Sequence, residues 1–245
     1  MTPIIIAHRG YSEVAPENTL PAIQKAVEAG ARVIECDIQS TRDGVPVLIH
    51  DSTLQRTTSG SGYVWQATCE EVQALDAGAW MHPAFSGVRV PRLADALAVI
   101  PREVTLNLEI KPAAFQKNRG IVVSVLELLE GNPHVNAMLS SFSMEVLEEA
   151  AGLRESVERV LLMHRPRRLP SIVESLERIG SRKFFCNVML LNANLADRLR
   201  ERGIRTGVFS VNSSRSLRQA LKCGVDYIIT NRVRWCRDAI AGLAD

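Results

Sequence analysis

Four short stretches pair residues of the kind that do chemistry. His8-Arg9 follows a β-branched run, Glu35 and Asp37 sit two apart in another, and His50-Asp51 closes a third. Glu109 and Lys111, again two apart, close a fourth. Side chains two apart on a strand point to the same side. Glu35 and Asp37 therefore share a face, as do Glu109 and Lys111, while Ile34, Cys36, Leu108 and Ile110 point the other way. If the strands are neighbours, three carboxylates converge. Like charges that close repel, and a bound cation is the usual resolution. An all-oxygen donor set suits Mg²⁺ or Ca²⁺ better than zinc. Taken singly, each carboxylate reads as well as a helix cap or as a structural partner of Arg9 or Lys111. The joint placement of two histidines, three carboxylates and two cations is what favours a site.

The elements that must position these residues alternate along the chain. Strands are predicted from residues 4, 33, 104, 135, 157, 183, 204 and 225. Helices are predicted over 16–29, 93–100, 119–130, 143–151, 170–179, 194–202, 213–222 and 232–242. In 16–29, for example, Leu20, Ile23 and Val27 recur at helical spacing. A further short β run spans 45–49. Eight strand–helix units in 245 residues predict an α/β fold, a closed (β/α)8 TIM barrel with the active face at the C-terminal strand ends. The open doubly wound sheet is the rival, but no G-x-G-x-x-G follows the first strand. Residues 51–92, rich in Gly and Pro, read as an insertion between the second strand and its helix. With no composition shift elsewhere, 1–245 reads as one domain.

In order and spacing, several motifs resemble the glycerophosphodiester phosphodiesterase family. They are His8-Arg9-Gly10, Pro16-Glu17-Asn18-Thr19, Ile34-Glu35-Cys36-Asp37, Thr41-Arg42-Asp43-Gly44, His50-Asp51, Arg56-Thr57-Thr58 and Leu108-Glu109-Ile110-Lys111. The likeness runs through Leu75-Asp76-Ala77-Gly78 and Pro91-Arg92-Leu93, fades mid-chain around Ser141-Phe142, and returns at Val211-Asn212 and Gly224-Val225-Asp226. It implies a (β/α)8 barrel, a divalent cation (Mg²⁺ first, Ca²⁺ as the alternative), and hydrolysis of glycerophosphodiesters to glycerol 3-phosphate and an alcohol. By the resemblance the metal ligands are Glu35, Asp37 and Glu109, the catalytic acid and base are His8 and His50, and the phosphate-binding cations are Arg9 and Lys111. Two positions depart from the family pattern: Phe209-Ser210 stands where Trp is frequent, and Thr230-Asn231 where Thr-Asp is frequent.

Charge and composition narrow the partners. A net charge of +2 calls for no nucleic acid, and no apolar run is long enough to span a bilayer. Met1 to Ala7 lacks the regions of a signal peptide. Five scattered cysteines without a C-x-x-C fit reduced thiols in a cytoplasmic protein. The expected partner is a small glycerophosphodiester. Two alternatives stand beside it: a phospholipase-D-like activity on lysophospholipids, and a barrel that binds phosphodiesters without turnover. His82, His134 and His164 read as loop residues, Trp65, Trp80 and Trp235 as packing residues, and Cys36 as a buried inert thiol. Arg165, Arg167 and Arg168 read as a solvated charge run that could instead attract an anionic substrate.

Overall fold

A computed structural model describes residues 2–111 and 120–242. Met1, in the stretch weighed as a signal peptide, and Arg119, at the start of the predicted helix 119–130, lie outside the described residues. Eight strands run parallel: β1 (Ile4–Ala7), β2 (Val33–Ser40), β4 (Thr105–Ile110), β5 (Asn136–Ser141), β6 (Glu158–Met163), β7 (Lys183–Asn187), β8 (Arg205–Phe209) and β9 (Tyr227–Thr230). Each pairs with the next, and β1 pairs with both β9 and β2, so the sheet closes on itself as a (β/α)8 barrel. Helices α1 (Leu20–Glu28), α3 (Leu93–Val99), α4 (Ile121–Glu130), α5 (Met144–Leu153), α6 (Leu169–Arg178), α7 (Ala193–Arg200), α8 (Ser214–Lys222) and α9 (Val233–Ala241) cover the outside.

The two-residue alternation explains both layers. Outward residues Ile34, Cys36, Leu108 and Ile110 pack with Ile23, Ala26, Leu93 and Leu97 of the helices. Inward residues Ile6, Val33, Met138, Val160, Leu162, Phe185, Tyr227 and Ile229 fill the barrel. Burying each large apolar side chain contributes about 1.5–3 kcal/mol. Gly207 of β8 makes room for this filling, because a Cβ there would lie 2.5 Å from the Phe185 ring. The interior is therefore lopsided: apolar on β6 to β9, polar on β2 and β4, where Glu35, Asp37, Asn107 and Glu109 point in.

The predicted insertion is an ordered subassembly. Strand β3 (Pro46–Leu48) pairs antiparallel with the end of β2. Helix α2 (Cys69–Gln73) follows, and Val47, Ile49, Leu54, Val64, Val72 and Val90 form a small apolar cluster of their own. Helix α1 starts later than predicted, at Leu20. Pro16 to Thr19 is a turn, with Asn18 at φ 58° and Thr19 as the N-cap, accepting from the Ala22 amide. The strand predicted from residue 183 ends at Asn187, whose side chain caps a short 3₁₀ turn over Val188–Leu190.

Candidate active site

Six of the seven predicted residues line one cavity at the C-terminal strand ends, and the seventh, Asp37, is buried against Glu35 and Glu109. Register explains part of this directly: Glu35 lies opposite Asn107, and Asp37 opposite Glu109, on adjacent parallel strands. Oxygen atoms of Glu35, Asp37 and Glu109 lie within 4.8 Å of one another. A cavity of about 190 Å³ above them is lined by His8, Arg9, Glu35, His50, Glu109 and Lys111 on its polar side. Its other wall is Phe142, Leu162, Phe209 and Ile229. A larger groove of about 670 Å³ opens among Leu176, Gly180, Arg182 and Ile204 at the opposite end of the barrel. It is lined by no histidine and only one carboxylate, Glu177, so the smaller cavity is the candidate site.

Backbone geometry aims the first segment. Arg9 adopts φ 58° and Gly10 φ 76°, so two left-handed residues turn the chain sharply after β1. A non-glycine residue held there costs about 1–3 kcal/mol and signals a functional constraint. Glycine is required at position 10 on two counts: the positive φ, and the Ala22 backbone 2.6 Å from where a Cβ would stand. The turn places the Arg9 amide 2.8 Å from Glu35 Oε2 and its guanidinium Nε 3.1 Å from Asp37 Oδ2.

Asp37 is the hub. It is fully buried; Lys111 Nζ lies 2.7 Å from Oδ1, and the Asn18 amide donates to Oδ2 at 2.8 Å. Asn18 also accepts from the Asp37 backbone amide at 3.0 Å, so one left-handed asparagine clamps the aspartate from both ends. Burial alone would raise the Asp37 pKa, but Lys111 and Arg9 overcome it and hold the group well below the usual carboxylate range. The two glutamates go the other way. Burial, then repulsion from Asp37 and Glu109, pushes Glu35 well up; burial and Asp37 push Glu109 up to about 7 despite its bond from Lys111.

The histidines differ in their partners. His8 Nδ1 bonds Asn231 Oδ1 at 2.6 Å, which makes Nδ1 the protonated nitrogen and leaves Nε2 facing Glu35 at 3.9 Å. Burial, reinforced by Arg9, lowers its pKa to about 4, so the ring is neutral at neutral pH. His50 Nδ1 bonds a carboxylate, Asp51, at 2.6 Å. Burial lowers its pKa too, against the pull of Asp37 and Asp51.

Residues that motif reading did not assign complete the frame. Glu17 bonds Arg9 at 2.7 Å and Arg56 at 2.7 and 2.9 Å; Arg56 also bonds Asp51, which ties the β1 turn to the His50 segment. Glu17, Asn18 and Arg56 were all within quoted motifs, so their positions were visible and their roles were not. Asn107 was missed altogether: it is 1% exposed, and neither of its side-chain polar atoms has a protein partner. Its signal was the same alternation that found Glu109. Cys36 is buried on the outward face, and burial pushes its thiol well up, which fits the expected inert thiol.

The arrangement can hold a hard cation. The donors are carboxylate oxygens, Glu35 Oε1 is buried without a protein partner, and protonation is the costly substitute that Glu35 and Glu109 otherwise adopt. It can also bind an anion, through Arg9 and Lys111, beside two imidazoles able to move protons.

Residues 8–234 match the Glycerophosphoryl diester phosphodiesterase family. A glycerophosphodiester phosphodiesterase of Caldanaerobacter subterraneus subsp. tengcongensis is 32% identical over 234 residues, which is 94% of this chain and 95% of that protein. Among solved structures, an Oleispira antarctica phosphodiesterase in complex with the product sn-glycerol-3-phosphate superposes with TM-score 0.90 at 27% identity, covering 98% of this chain and 97% of that one. A glycerophosphodiester phosphodiesterase from Agrobacterium tumefaciens gives TM-score 0.81 at 26% identity, covering 97% and 100%. With the family matched over residues 8–234 and a relative 32% identical along nearly its whole length, the chain belongs to the glycerophosphoryl diester phosphodiesterase family.

Proposed function

We propose that the protein hydrolyses small glycerophosphodiesters to glycerol 3-phosphate and an alcohol, using a divalent cation and two histidines. The observation that carries the reading is the meeting of Glu35, Asp37 and Glu109 with Arg9, Lys111, His8 and His50 around one cavity. The product held by the Oleispira antarctica relative supports glycerol phosphate as the recognised half.

Glu35, Asp37 and Glu109 would hold the cation. Mg²⁺ is the first candidate and Ca²⁺ the second, because three carboxylates leave part of a hard shell to water and substrate. Such an ion neutralises charge on a phosphoryl oxygen and lowers the pKa of a hydroxyl group beside it. Arg9 and Lys111 bind the remaining phosphoryl oxygens and stabilise the charge that grows on them. One imidazole takes the proton from the nucleophile, either the glycerol 2-hydroxyl or a water, through its free Nε2. The other, entering the step as the imidazolium, gives its Nε2 proton to the oxygen of the departing alcohol as its P–O bond breaks. Attack by the 2-hydroxyl gives a cyclic phosphate that water then opens.

The carboxylates are also compatible with a barrel that binds diesters without turnover, but such a barrel needs neither histidine. Among the described residues no helix is long and apolar enough to cross a membrane. The five cysteines are free, which fits the reducing compartment we assign. The test is release of glycerol 3-phosphate from a panel of glycerophosphodiesters with Mg²⁺, Ca²⁺ or chelator. Release with an ion and none in chelator is the expected result; full turnover in chelator would remove the cation.

A further inference from the structure

Beside the active cavity lies a second one of about 220 Å³. Phe142 and Leu162 line both. The second cavity is also lined by Met144 and Met163, and by His164, Arg165 and Arg167 of the loop between β6 and α6. Three rings step from the first cavity to the second: Phe209 packs against Phe142 at 5.8 Å between centroids, and Phe142 against His164 at 5.0 Å. So His164 and the arginine run are not remote loop features; the aromatic wall joins them to the site.

Charge sets the two cavities apart. The first carries Glu35 and Glu109 among its cations, whereas no carboxylate lines the second. Arg165 and Arg167 are exposed, and among the described residues neither forms an ion pair. An uncompensated pair of guanidiniums over an apolar floor fits a small molecule with a carbon skeleton and an anionic end.

We propose that this cavity seats the leaving alcohol, and that Arg165 and Arg167 select diesters whose alcohol bears a carboxylate or a phosphomonoester. The inference rests on the phosphodiesterase reading. In that reading the glycerol half must lie by the carboxylates of β2 and β4, where its hydroxyl is activated. The alcohol then points round the barrel from β4 to the adjacent β5 and β6, where the second cavity opens. An acyl chain fits less well: the exposed large apolar residues, Val14, Tyr63, Trp80 and Met189 among them, do not line this cavity, and its rim is cationic.

Two matched pairs test it. sn-Glycero-3-phosphoserine differs from the ethanolamine diester by one carboxylate, and a glycerophosphoinositol phosphate differs from glycerophosphoinositol by one phosphate. An exposed ion pair contributes up to about 1 kcal/mol, roughly a factor of five, so two arginines should raise kcat/KM for the anionic member by about 5- to 25-fold. The ratio should fall towards one in R165A/R167A, persist in R165K/R167K and invert in R165E/R167E, with thermal melts confirming that each variant is folded. Enhancement in only one pair assigns the subsite to that anion. A ratio of one in the wild type, or one indifferent to the charge reversal, overturns the subsite while leaving the phosphodiesterase intact. A wild-type preference for lysophosphatidylethanolamine over glycerophosphoethanolamine overturns it in favour of an acyl chain. Turnover of none of these diesters overturns the underlying reading and this inference with it.

Discussion

At the scale of single residues, the site is a set of groups each shifted by its neighbours. His8 and His50 leave Nε2 free because Asn231 and Asp51 occupy the other ring nitrogen. Replacing either histidine by Ala should lower turnover by roughly two to four orders of magnitude. A nitrophenyl diester, whose alcohol leaves without a proton, should recover rate in the variant lacking the acid and not in the one lacking the base. Steady-state rates on both substrates, with melts of each variant, check this; near-wild-type turnover in a folded variant would remove that histidine from the mechanism. Asn18 offers a second test, since it touches no substrate-facing space and holds Asp37 twice. Asn18→Ala should cost about 1–3 kcal/mol of stability. It should also weaken cation binding by about 10- to 100-fold, as loss of groups orienting metal ligands generally does. Calorimetric titration with Mg²⁺ or Ca²⁺ reads the second effect, and unchanged affinity would reduce Asn18 to a packing role.

At the scale of elements, the turn after β1 is the critical piece. It must deliver Arg9 to Asp37 within two residues of the strand end, which only the left-handed Arg9-Gly10 pair achieves. Gly10→Ala combines a positive φ with a clash against the Ala22 backbone, so it should destabilise by more than about 2 kcal/mol and displace α1. Gly44 is the control: its φ is 81° but a Cβ would meet nothing within 4 Å. Gly44→Ala should cost only about 1 kcal/mol. Denaturant melts of the pair separate steric closure from backbone strain, and equal losses would show that the approach to α1 does not matter. The turn was legible as His8-Arg9-Gly10, but the helical reading of Pro16 to Thr19 was wrong. Asn18 in the left-handed region and the Thr19 cap start α1 four residues later, and this frees Glu17 and Asn18 to serve the site.

At the scale of the whole molecule, folding forces three carboxylates into one dry corner, and pH and cations must act through that cost. Glu35 and Glu109 have folded pKa values above their ordinary 4.5, Glu109 at about 7. The folded state thus binds their protons more tightly, so their contribution to stability is present below pH 4.5 and is lost as pH rises through their raised values, about 7 for Glu109. Asp37 runs oppositely: its contribution is present above the ordinary carboxylate range and is lost as pH falls towards its depressed value. A cation replaces the two protons, so its affinity should rise with pH through about 7. Thermal melts in chelator and in Mg²⁺ or Ca²⁺ should therefore show a larger cation-induced rise in Tm at pH 8 than at pH 5.5. An equal rise at both would mean that the ion does not compete with those protons.

The sequence by itself determined the barrel and the inward face of its strands. Both are local patterns: an alternation of period two places Glu35 with Asp37 and Glu109 with Lys111, and strand–helix repetition allows few closures. What it could not determine was which side chains from distant segments meet. Asn231 reaches His8 only because β9 closes against β1, and Glu17 reaches Arg56 only because the 51–92 insertion folds back over the mouth. Asn107 became visible as a site residue only when its burial left it without a partner. Register and turn chemistry are encoded within a few residues. Partner choice across the barrel depends on closure of the whole sheet, so only the tertiary structure decided it.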